Sequence, residues 1–348
     1  MSFEAAKLVL KNAIKNQEIP SAVAAIGNKD SYEFVFSGGL ERYGGNAVDF
    51  ETYYDLASLT KVVSTLPSIL YLINIGELSL DDKMTKFFSN SGWFQSPSLA
   101  DISVFELLTH TAGLPAWKPL FANISTRETA FANILQTELK DTRGDIIYSD
   151  LGFMLLGIIV ERISKMRQDE FVSKYIFAPL DMKSISYGPV LNKAVAATED
   201  CGWRNRLLVG EVHDENAYLC DGIAGHAGLF GRVEDLAKYA MAWLNFDARI
   251  ASPELMQEAT KTQVKNKTLR RGLGWLKKSE NSFASELATQ DGYGHTGFSG
   301  VSVWLEPTQN YFIVLLTNRI HPTRNHGKNI HKIRQDFHAA IMKEFSNN

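Results

Sequence analysis

Three separated segments of the chain carry side chains whose types and spacing could perform one reaction. Ser58 and Lys61 stand three residues apart, where a polar stretch turns into an apolar one. On a helix this spacing puts both side chains on one face, with Cβ atoms about 5–6 Å apart. A lysine amine in a partly desolvated site can help to remove the serine proton and so create a nucleophile. The alternative is a serine that caps a helix beside a solvated lysine.

The second segment is Tyr148-Ser149-Asp150, which directly precedes an apolar run. A tyrosine can carry a proton when a neighbouring ammonium lowers its pKa from the usual value of about 10. The alternative is structural, with Asp150 as a helix cap and Tyr148 as a packing residue. This segment therefore indicates chemistry only in combination with other groups.

The third segment is His295-Thr296-Gly297, which lies inside a glycine-rich stretch at 294–300. Glycines let the edge of a strand approach the backbone of a ligand closely. His295 could donate a hydrogen bond to a carboxylate or a carbonyl of that ligand. The alternative is a glycine-rich turn that leads into the strand beginning at Val301.

The elements that must hold these segments follow from the hydrophobic pattern at both ends of the chain. Each end contains a predicted β-hairpin next to a predicted amphipathic helix. The hairpins join 21–26 to 32–37 and 301–305 to 311–317, and the helices cover 4–17 and 330–345. The middle is predicted to be mostly helical, with helices at 59–75 (kinked at Pro67), 104–109, 151–164 and 233–244.

This order of elements predicts an α+β fold. One antiparallel sheet is built from both ends of the chain and flanked by helices, and a mostly helical lobe is inserted between them. We expect the sheet lobe to contain residues 1–56 and 265–348 and the helical lobe to contain 57–264. The cleft between two such lobes is the default place for a small-molecule site.

Composition narrows the classes of partner. The 348 residues are 45% hydrophobic and 22% charged, with a net charge of −3 and no block of like charges at either end. This balance argues against a nucleic acid or an anionic membrane as the main partner. A local basic cluster within 261–278 is interpreted as a solvated loop or helix face.

The cysteines and the first residues of the chain indicate in which cellular compartment the protein is expected. Cys201 and Cys220 are too few for a disulfide framework, so we expect free, buried thiols, although a single bridge between them stays open. The first residues lack the unbroken apolar stretch of a signal peptide, and the longest apolar run, 152–160, is too short to span a bilayer. We therefore expect a cytoplasmic protein.

Together, the three motifs in this order resemble the penicillin-recognising serine hydrolases, in the class C β-lactamase-like branch. That branch includes class C β-lactamases, D-alanyl-D-alanine carboxypeptidases, D-aminopeptidases and family VIII-type esterases. The resemblance is supported by the sequences LLTHTAGLP at 107–115, YSDLGF at 148–153 and AGHAGLF at 224–230. It extends from about residue 20 to residue 320 and implies a β-lactamase/transpeptidase-like fold.

The resemblance also implies roles for individual residues. Ser58 matches the nucleophile that forms the acyl-enzyme, and Lys61 matches the lysine that helps to deprotonate it. Tyr148 matches the tyrosine that passes the proton to the leaving group. The backbone N–H groups of Ser58 and Phe298 match the oxyanion hole, where the loss of one donor typically costs about 10²–10³ in turnover.

Two positions depart from the pattern of the family. Asp150 stands where asparagine is more frequent, and a carboxylate there should pair with Lys61 and hold it protonated. Proton abstraction would then shift toward Tyr148, unless Asp150 is a cap that points elsewhere. His295 stands where β-lactamases have a lysine, and imidazole binds an anionic carboxylate less firmly than a fixed ammonium does. We interpret His295 as a sign against a dedicated β-lactamase.

A loop containing His213 and Asp214, followed by His226, invites a metal interpretation. The spacing matches no zinc pattern, so we interpret it as a loop ordered by polar side chains at the rim of the cleft. Since the enzymes that this chain resembles need no metal, we expect no metal and no other cofactor.

The resemblance implies a serine hydrolase that forms an acyl-enzyme on an amide or an ester. We expect small-molecule or short-peptide substrates, namely D-amino-acid peptides or small esters, with β-lactams as covalent ligands. The alternatives are a promiscuous carboxylesterase, a weak β-lactamase, and a non-catalytic penicillin-binding or sensor domain. The sequence indicates no oligomeric state.

Overall fold

A computed structural model of the chain describes residues 1–88, 94, 97–122, 126–139, 142–325 and 329–346. The strands are β1 (Ser21–Gly27), β2 (Tyr32–Gly39), β3 (Tyr54–Asp55), β4 (Ser186–Tyr187), β5 (Asp200–Cys201), β6 (Arg206–Leu207), β7 (Leu229–Gly231), β8 (Val264–Lys265), β9 (Arg270–Arg271), β10 (Leu276–Lys277), β11 (Tyr293–Thr296), β12 (Ser302–Glu306) and β13 (Tyr311–Thr317).

The α-helices are α1 (Glu4–Lys15), α2 (Leu66–Asn74), α3 (Met84–Phe88), α4 (Pro97–Ala100), α5 (Val104–Thr109), α6 (Arg127–Leu135), α7 (Asp150–Ser164), α8 (Gln168–Val172), α9 (Glu215–Leu219), α10 (Val233–Leu244), α11 (Pro253–Thr260) and α12 (Ile330–Ser346). A 3₁₀ turn spans Leu120–Ala122, and π-helical turns span Lys61–Thr65 and Ser173–Phe177.

Within these ranges, the largest sheet has eight antiparallel strands in the order β2-β1-β13-β12-β11-β10-β9-β8. β1 and β13, from opposite ends of the chain, pair directly, with Ala24 opposite Leu315. The two predicted hairpins are present as β1–β2 and β12–β13. The predicted α+β fold, with one sheet made from both ends of the chain, is confirmed.

β13 is buried along its whole length because both faces of the sheet are covered. Phe312 and Val314 belong to the larger core, which includes residues of α10. Tyr311 and Ile313 belong to a second core with residues of α1 and α12. Successive side chains of a strand point to opposite faces, so one continuous apolar run serves two cores. Each large apolar side chain buried in this way contributes about 1.5–3 kcal/mol.

The helical part is organised around α7, whose residues 151–160 are all buried. α7 packs against α2, α5, α6 and α8. We predicted one helix over 59–75 with a kink at Pro67, and the backbone is helical over 59–74, with a π-helical turn at Lys61–Thr65 that leads directly into α2. Pro67 lies in the first turn of α2, where its missing N–H costs least.

Cys201 and Cys220 are both free and buried, as expected. Among the helices of the described ranges, none combines the length and the apolar character needed to cross a bilayer. The division of the chain into lobes at residues 56/57 and 264/265 stays a prediction.

Candidate active site

The backbone before Ser58 is held in an unusual conformation. Ala57 has φ 45°, a left-handed conformation that costs a residue with a Cβ about 1–3 kcal/mol. The buried carboxylate of Asp55 holds this turn, since its Oδ1 accepts a hydrogen bond from the Ala57 N–H at 2.8 Å. The other oxygen of Asp55 accepts from the His213 N–H at 2.8 Å. The turn therefore holds Ser58 half-buried, directly before the helical backbone that begins at residue 59.

Lys61 is completely buried, and its ammonium contacts three acceptors. Nζ lies 2.9 Å from Ser58 Oγ, 3.1 Å from the carbonyl oxygen of His226 and 2.7 Å from Asp150 Oδ1. The contacts with Ser58 and His226 are hydrogen bonds, and the contact with Asp150 is an ion pair. Burial by itself lowers the pKa of Lys61, but the Asp150 carboxylate more than compensates and raises it above its ordinary value. Lys61 is therefore a protonated donor to Ser58.

Tyr148 lies between several cationic or aromatic groups. The Lys61 Nζ is 5.0 Å from the centre of the phenol ring, and the guanidinium carbon of Arg271 is 5.3 Å from it. The rings of His110 and His295 lie 4.7 and 5.9 Å away, centre to centre. Burial raises the pKa of Tyr148, and Lys61 acts against this shift. The surrounding cations favour negative charge on the phenol oxygen.

The alternative in which Asp150 caps α7 is wrong. The cap is Ser149, whose Oγ accepts a hydrogen bond from the Gly152 N–H at 3.4 Å. Ser149 N–H donates to His110 Nδ1 at 3.0 Å, which fixes the backbone between Tyr148 and Asp150. Asp150 instead pairs with Lys61, as expected from a carboxylate at this position.

The third motif lies on β11, where His295 is buried. Its Nδ1 is 2.8 Å from the carbonyl oxygen of Thr296, which can only accept, so Nδ1 carries the hydrogen. Burial, with Lys61 and Arg271 nearby, holds the pKa of His295 well below its usual value. The ring is neutral, and its Nε2 is an acceptor. This differs from the donor that we expected.

Gly297 brings the end of β11 against the turn before Ser58. A Cβ at this position would lie 2.7 Å from the Leu56 carbonyl oxygen and 3.2 Å from the Ala57 Cβ. The N–H groups of Ser58 and Phe298 donate no hydrogen bond to any residue in the described part of the chain. Two free N–H groups at one cavity wall can stabilise an oxyanion.

These groups line a cavity of about 560 Å³ together with Trp117, Thr296 and four arginines. Its acidic side chains are paired: Asp150 with Lys61, Asp214 with His226, and Glu215 with Arg324. Arg271 has no acidic partner among the described residues, and its buried Nε and Nη1 donate no hydrogen bond there. Burial lowers the pKa of Arg271 to about 10, so the cavity carries an uncompensated positive charge at neutral pH.

Arg271 belongs to the basic stretch that we interpreted as solvated, and for this residue, as for the buried Lys277 and Lys278, the interpretation is wrong. Arg271 is 6% exposed and pairs with Leu276 across the sheet. Alternation along β9 could have signalled that one of two consecutive arginines points inward. Asp55 was also missed, because nothing local distinguishes a turn-holding carboxylate from an exposed one.

The loop with possible metal ligands forms separate pairs. His213 Nε2 lies 3.0 Å from Glu199, and His226 Nε2 lies 2.8 Å from Asp214. Within the described residues, no three metal-binding side chains converge. The loop instead contributes the His226 carbonyl to Lys61. Its close approach requires Gly225, where a Cβ would lie only 1.9 Å from the Phe153 carbonyl oxygen.

Comparisons with known proteins agree with this geometry. Residues 7–336 match the family described as Beta-lactamase. A protein of Escherichia coli (strain K12) named "Putative D-alanyl-D-alanine carboxypeptidase" is 31% identical over 80% of this chain and 72% of its own length.

Two solved structures show the same fold. The octameric penicillin-binding protein homologue from Pyrococcus abyssi has TM-score 0.77 and 23% identity, over 99% of this chain and 78% of that one. EstCE1, a hydrolase with promiscuous acyltransferase activity, has TM-score 0.80 and 18% identity, over 98% of both chains. The chain thus belongs to the beta-lactamase family and is a serine hydrolase.

Proposed function

We propose that this hydrolase cleaves peptides that end in a D-amino acid with a free carboxylate, through an acyl-enzyme on Ser58. The observation that carries the substrate class is the buried guanidinium of Arg271 at the wall of the cavity, which has no acidic partner among the residues that the structure describes. A substrate carboxylate would supply its missing partner, and a hydrogen bond to a charged group is worth about 1.5–3 kcal/mol. The name of the Escherichia coli relative supports the same class.

In the proposed reaction, Ser58 Oγ adds to the carbonyl carbon of the scissile amide, and its proton passes to the phenolate form of Tyr148. The N–H groups of Ser58 and Phe298 stabilise the resulting oxyanion. The C–N bond then breaks, and Tyr148 returns the proton to the departing amine. Water adds to the acyl-enzyme with its proton passing to Tyr148, and collapse of that intermediate returns the proton to Ser58 Oγ and releases the acid.

The raised pKa of Lys61 supports Tyr148 as the base. An ammonium with three acceptors cannot take up the Ser58 proton, but it stabilises negative charge on Ser58 Oγ and on the phenol. Burial raises the pKa of Tyr148, so its phenolate form is a minor species at neutral pH and becomes more populated as pH rises. Acylation should therefore accelerate as pH rises through the neutral range.

The test compares peptides ending in D-Ala-D-Ala with a free or an amidated carboxyl terminus. We expect amidation to lower kcat/KM by about 10–100-fold, which corresponds to the hydrogen-bond energy above. In Arg271→Met, the ratio of kcat/KM for the free peptide to kcat/KM for the amidated peptide should fall to about one. Mass analysis after benzylpenicillin or a fluorophosphonate should find the adduct on Ser58 and none in Ser58→Ala. An enzyme that is indifferent to the carboxylate would refute the proposed substrate class.

A carboxylesterase is the second candidate, because the cavity wall also has apolar character. Phe298 and Trp117 line it with 49% and 45% of their surface exposed, and His295 adds no fixed charge. Turnover of p-nitrophenyl butyrate, nitrocefin and the two peptides, measured side by side, separates the candidates. A kcat/KM for the butyrate ester far above that for the free-carboxylate peptide would favour the esterase.

A further inference from the structure

Arg334 is a buried arginine of α12 that reaches the turn after β11. It is 6% exposed, although it lies at the wall of the active-site cavity. Its Nη2 donates hydrogen bonds to the carbonyl oxygens of Gly297, at 3.0 Å, and Val301, at 2.7 Å. Burial, with Arg319 nearby, lowers the pKa of Arg334 to about 9, so it is a cation at neutral pH.

The Gly297 carbonyl and the Phe298 N–H are the two ends of the same peptide group. A carbonyl that accepts a hydrogen bond from a cation polarises its amide, and the N–H of that amide becomes a stronger donor. The Phe298 N–H has no acceptor among the described residues. The added polarisation is therefore available to whatever binds in the cavity.

Arg334 also fixes the geometry of the turn. The Gly297 N–H donates to the Val301 carbonyl at 2.8 Å, and the Gly300 N–H donates to the Gly297 carbonyl at 3.0 Å. Arg334 connects the two carbonyls that close this turn. An oxyanion donor must be held in place before the reaction, because its advantage lies in needing no reorganisation.

We propose that Arg334 is a positioning residue that orients and polarises the Gly297–Phe298 peptide group, so that the Phe298 N–H stabilises the oxyanion during acylation. This inference rests on the proposed acyl-enzyme mechanism. Arg334 acts through the carbonyl end of this amide, whereas the oxyanion would contact its N–H end. Its effect should consequently appear in the chemical step more than in substrate binding.

A matched control is present in the same turn. Arg319 Nε donates to the carbonyl oxygen of Phe298 at 2.8 Å. That carbonyl belongs to the next peptide group, which links Phe298 to Ser299. Arg319 therefore also holds the turn through a charge-assisted hydrogen bond, but it does not polarise the Phe298 N–H.

The experiment measures acylation by p-nitrophenyl butyrate in Arg334→Met, Arg334→Lys and Arg319→Met. We expect Arg334→Met to lower the acylation rate about 10-fold with KM nearly unchanged, less than the 10²–10³ for loss of a whole donor. Arg334→Lys, which keeps a cationic donor, should recover part of the rate. Arg319→Met should show a clearly smaller loss than Arg334→Met.

The carbonyl stretch of the acyl-enzyme, measured by difference infrared spectroscopy, provides a readout that a merely structural role would not move. Weaker hydrogen bonding should shift the band to higher frequency in Arg334→Met and not in Arg319→Met. An unshifted band, or equal rate losses in both variants, would overturn the inference while leaving the acyl-enzyme mechanism intact. If Arg334→Met does not fold, the same comparison uses Arg334→Lys and Arg334→Gln.

The outcome for the wild-type protein distinguishes the two claims. If Ser58 of the wild type never becomes acylated, the proposed function fails, and the inference about Arg334 fails with it. If Ser58 is acylated normally, the variants and the infrared band decide on Arg334 alone.

Discussion

Titration of Lys61 should make the wild-type protein less stable at high pH. Replacing Asp150 with asparagine should reverse this, so that the stability of the variant rises with pH. The two charges lie 2.7 Å apart, with Lys61 fully buried and Asp150 18% exposed. With an effective dielectric constant of 20, their attraction is about 6 kcal/mol, and removing one partner of a buried pair typically costs about 3–5 kcal/mol. We expect a loss of that size at pH 7, measured as the free energy of unfolding in urea.

Whether stability rises or falls with pH depends on which state, folded or unfolded, binds more protons. In the wild type, Asp150 raises the pKa of Lys61 above its ordinary value of 10.5, so this stabilisation is fully present below pH 10.5 and is lost above it. In Asp150→Asn, burial prevails and the folded-state pKa falls below that value. The unfolded chain then binds more protons, and the stability of the variant should rise with pH.

Urea unfolding at several values between pH 6 and pH 9 measures this slope. The double variant Lys61→Met with Asp150→Asn should remove it, because the titrating group is gone. Asp169→Asn is a matched control, since Asp169 pairs with Arg167 at the same 2.7 Å but at the surface, where such pairs contribute about 0–1 kcal/mol. A flat slope in Asp150→Asn, or a loss no larger than that of the control, would refute the ionised pair.

Other changes have equally definite outcomes. Tyr148→Phe should slow acylation by about 10²–10⁴-fold in stopped-flow measurements, because the proton carrier is lost; a normal rate would exclude Tyr148 as the base. Gly225→Ala should lower stability by about 1–3 kcal/mol or more in urea unfolding, because the new Cβ meets the Phe153 carbonyl; wild-type stability would contradict that contact. Ala57→Gly should retain or increase the melting temperature, because glycine removes the strain at φ 45°; a clear decrease would show that this conformation is not strained.

The ends of the chain were predictable because their signals are local. The hairpin over Ser21–Gly39 and the helix Ile330–Ser346 follow from apolar runs separated by turn residues, and their observed bounds differ from the predicted ones by one or two residues. The helix at Val104–Thr109 begins at a Ser103 capping box, which is likewise a local signal.

The details of the site depend on contacts between distant segments, and no local pattern reports them. The protonation of Lys61 depends on Asp150 and on the His226 carbonyl, which come from two other parts of the chain. The tautomer of His295 depends on a backbone oxygen that its own strand presents. Arg271 and Arg334 look like ordinary surface cations in the sequence, and only the packing of β9 and α12 buries them.

The pairing of β1 with β13 has a consequence for how the protein is made. About 290 residues separate Ala24 from Leu315, so this pair cannot form until the chain through β13 has left the ribosome. Until then, the β1–β2 hairpin presents an unpaired apolar edge, which is a template for aggregation. Non-local pairing of this kind slows folding. Synthesis in the cell should therefore depend strongly on chaperones that shield this edge, and slowing translation should not relieve that dependence.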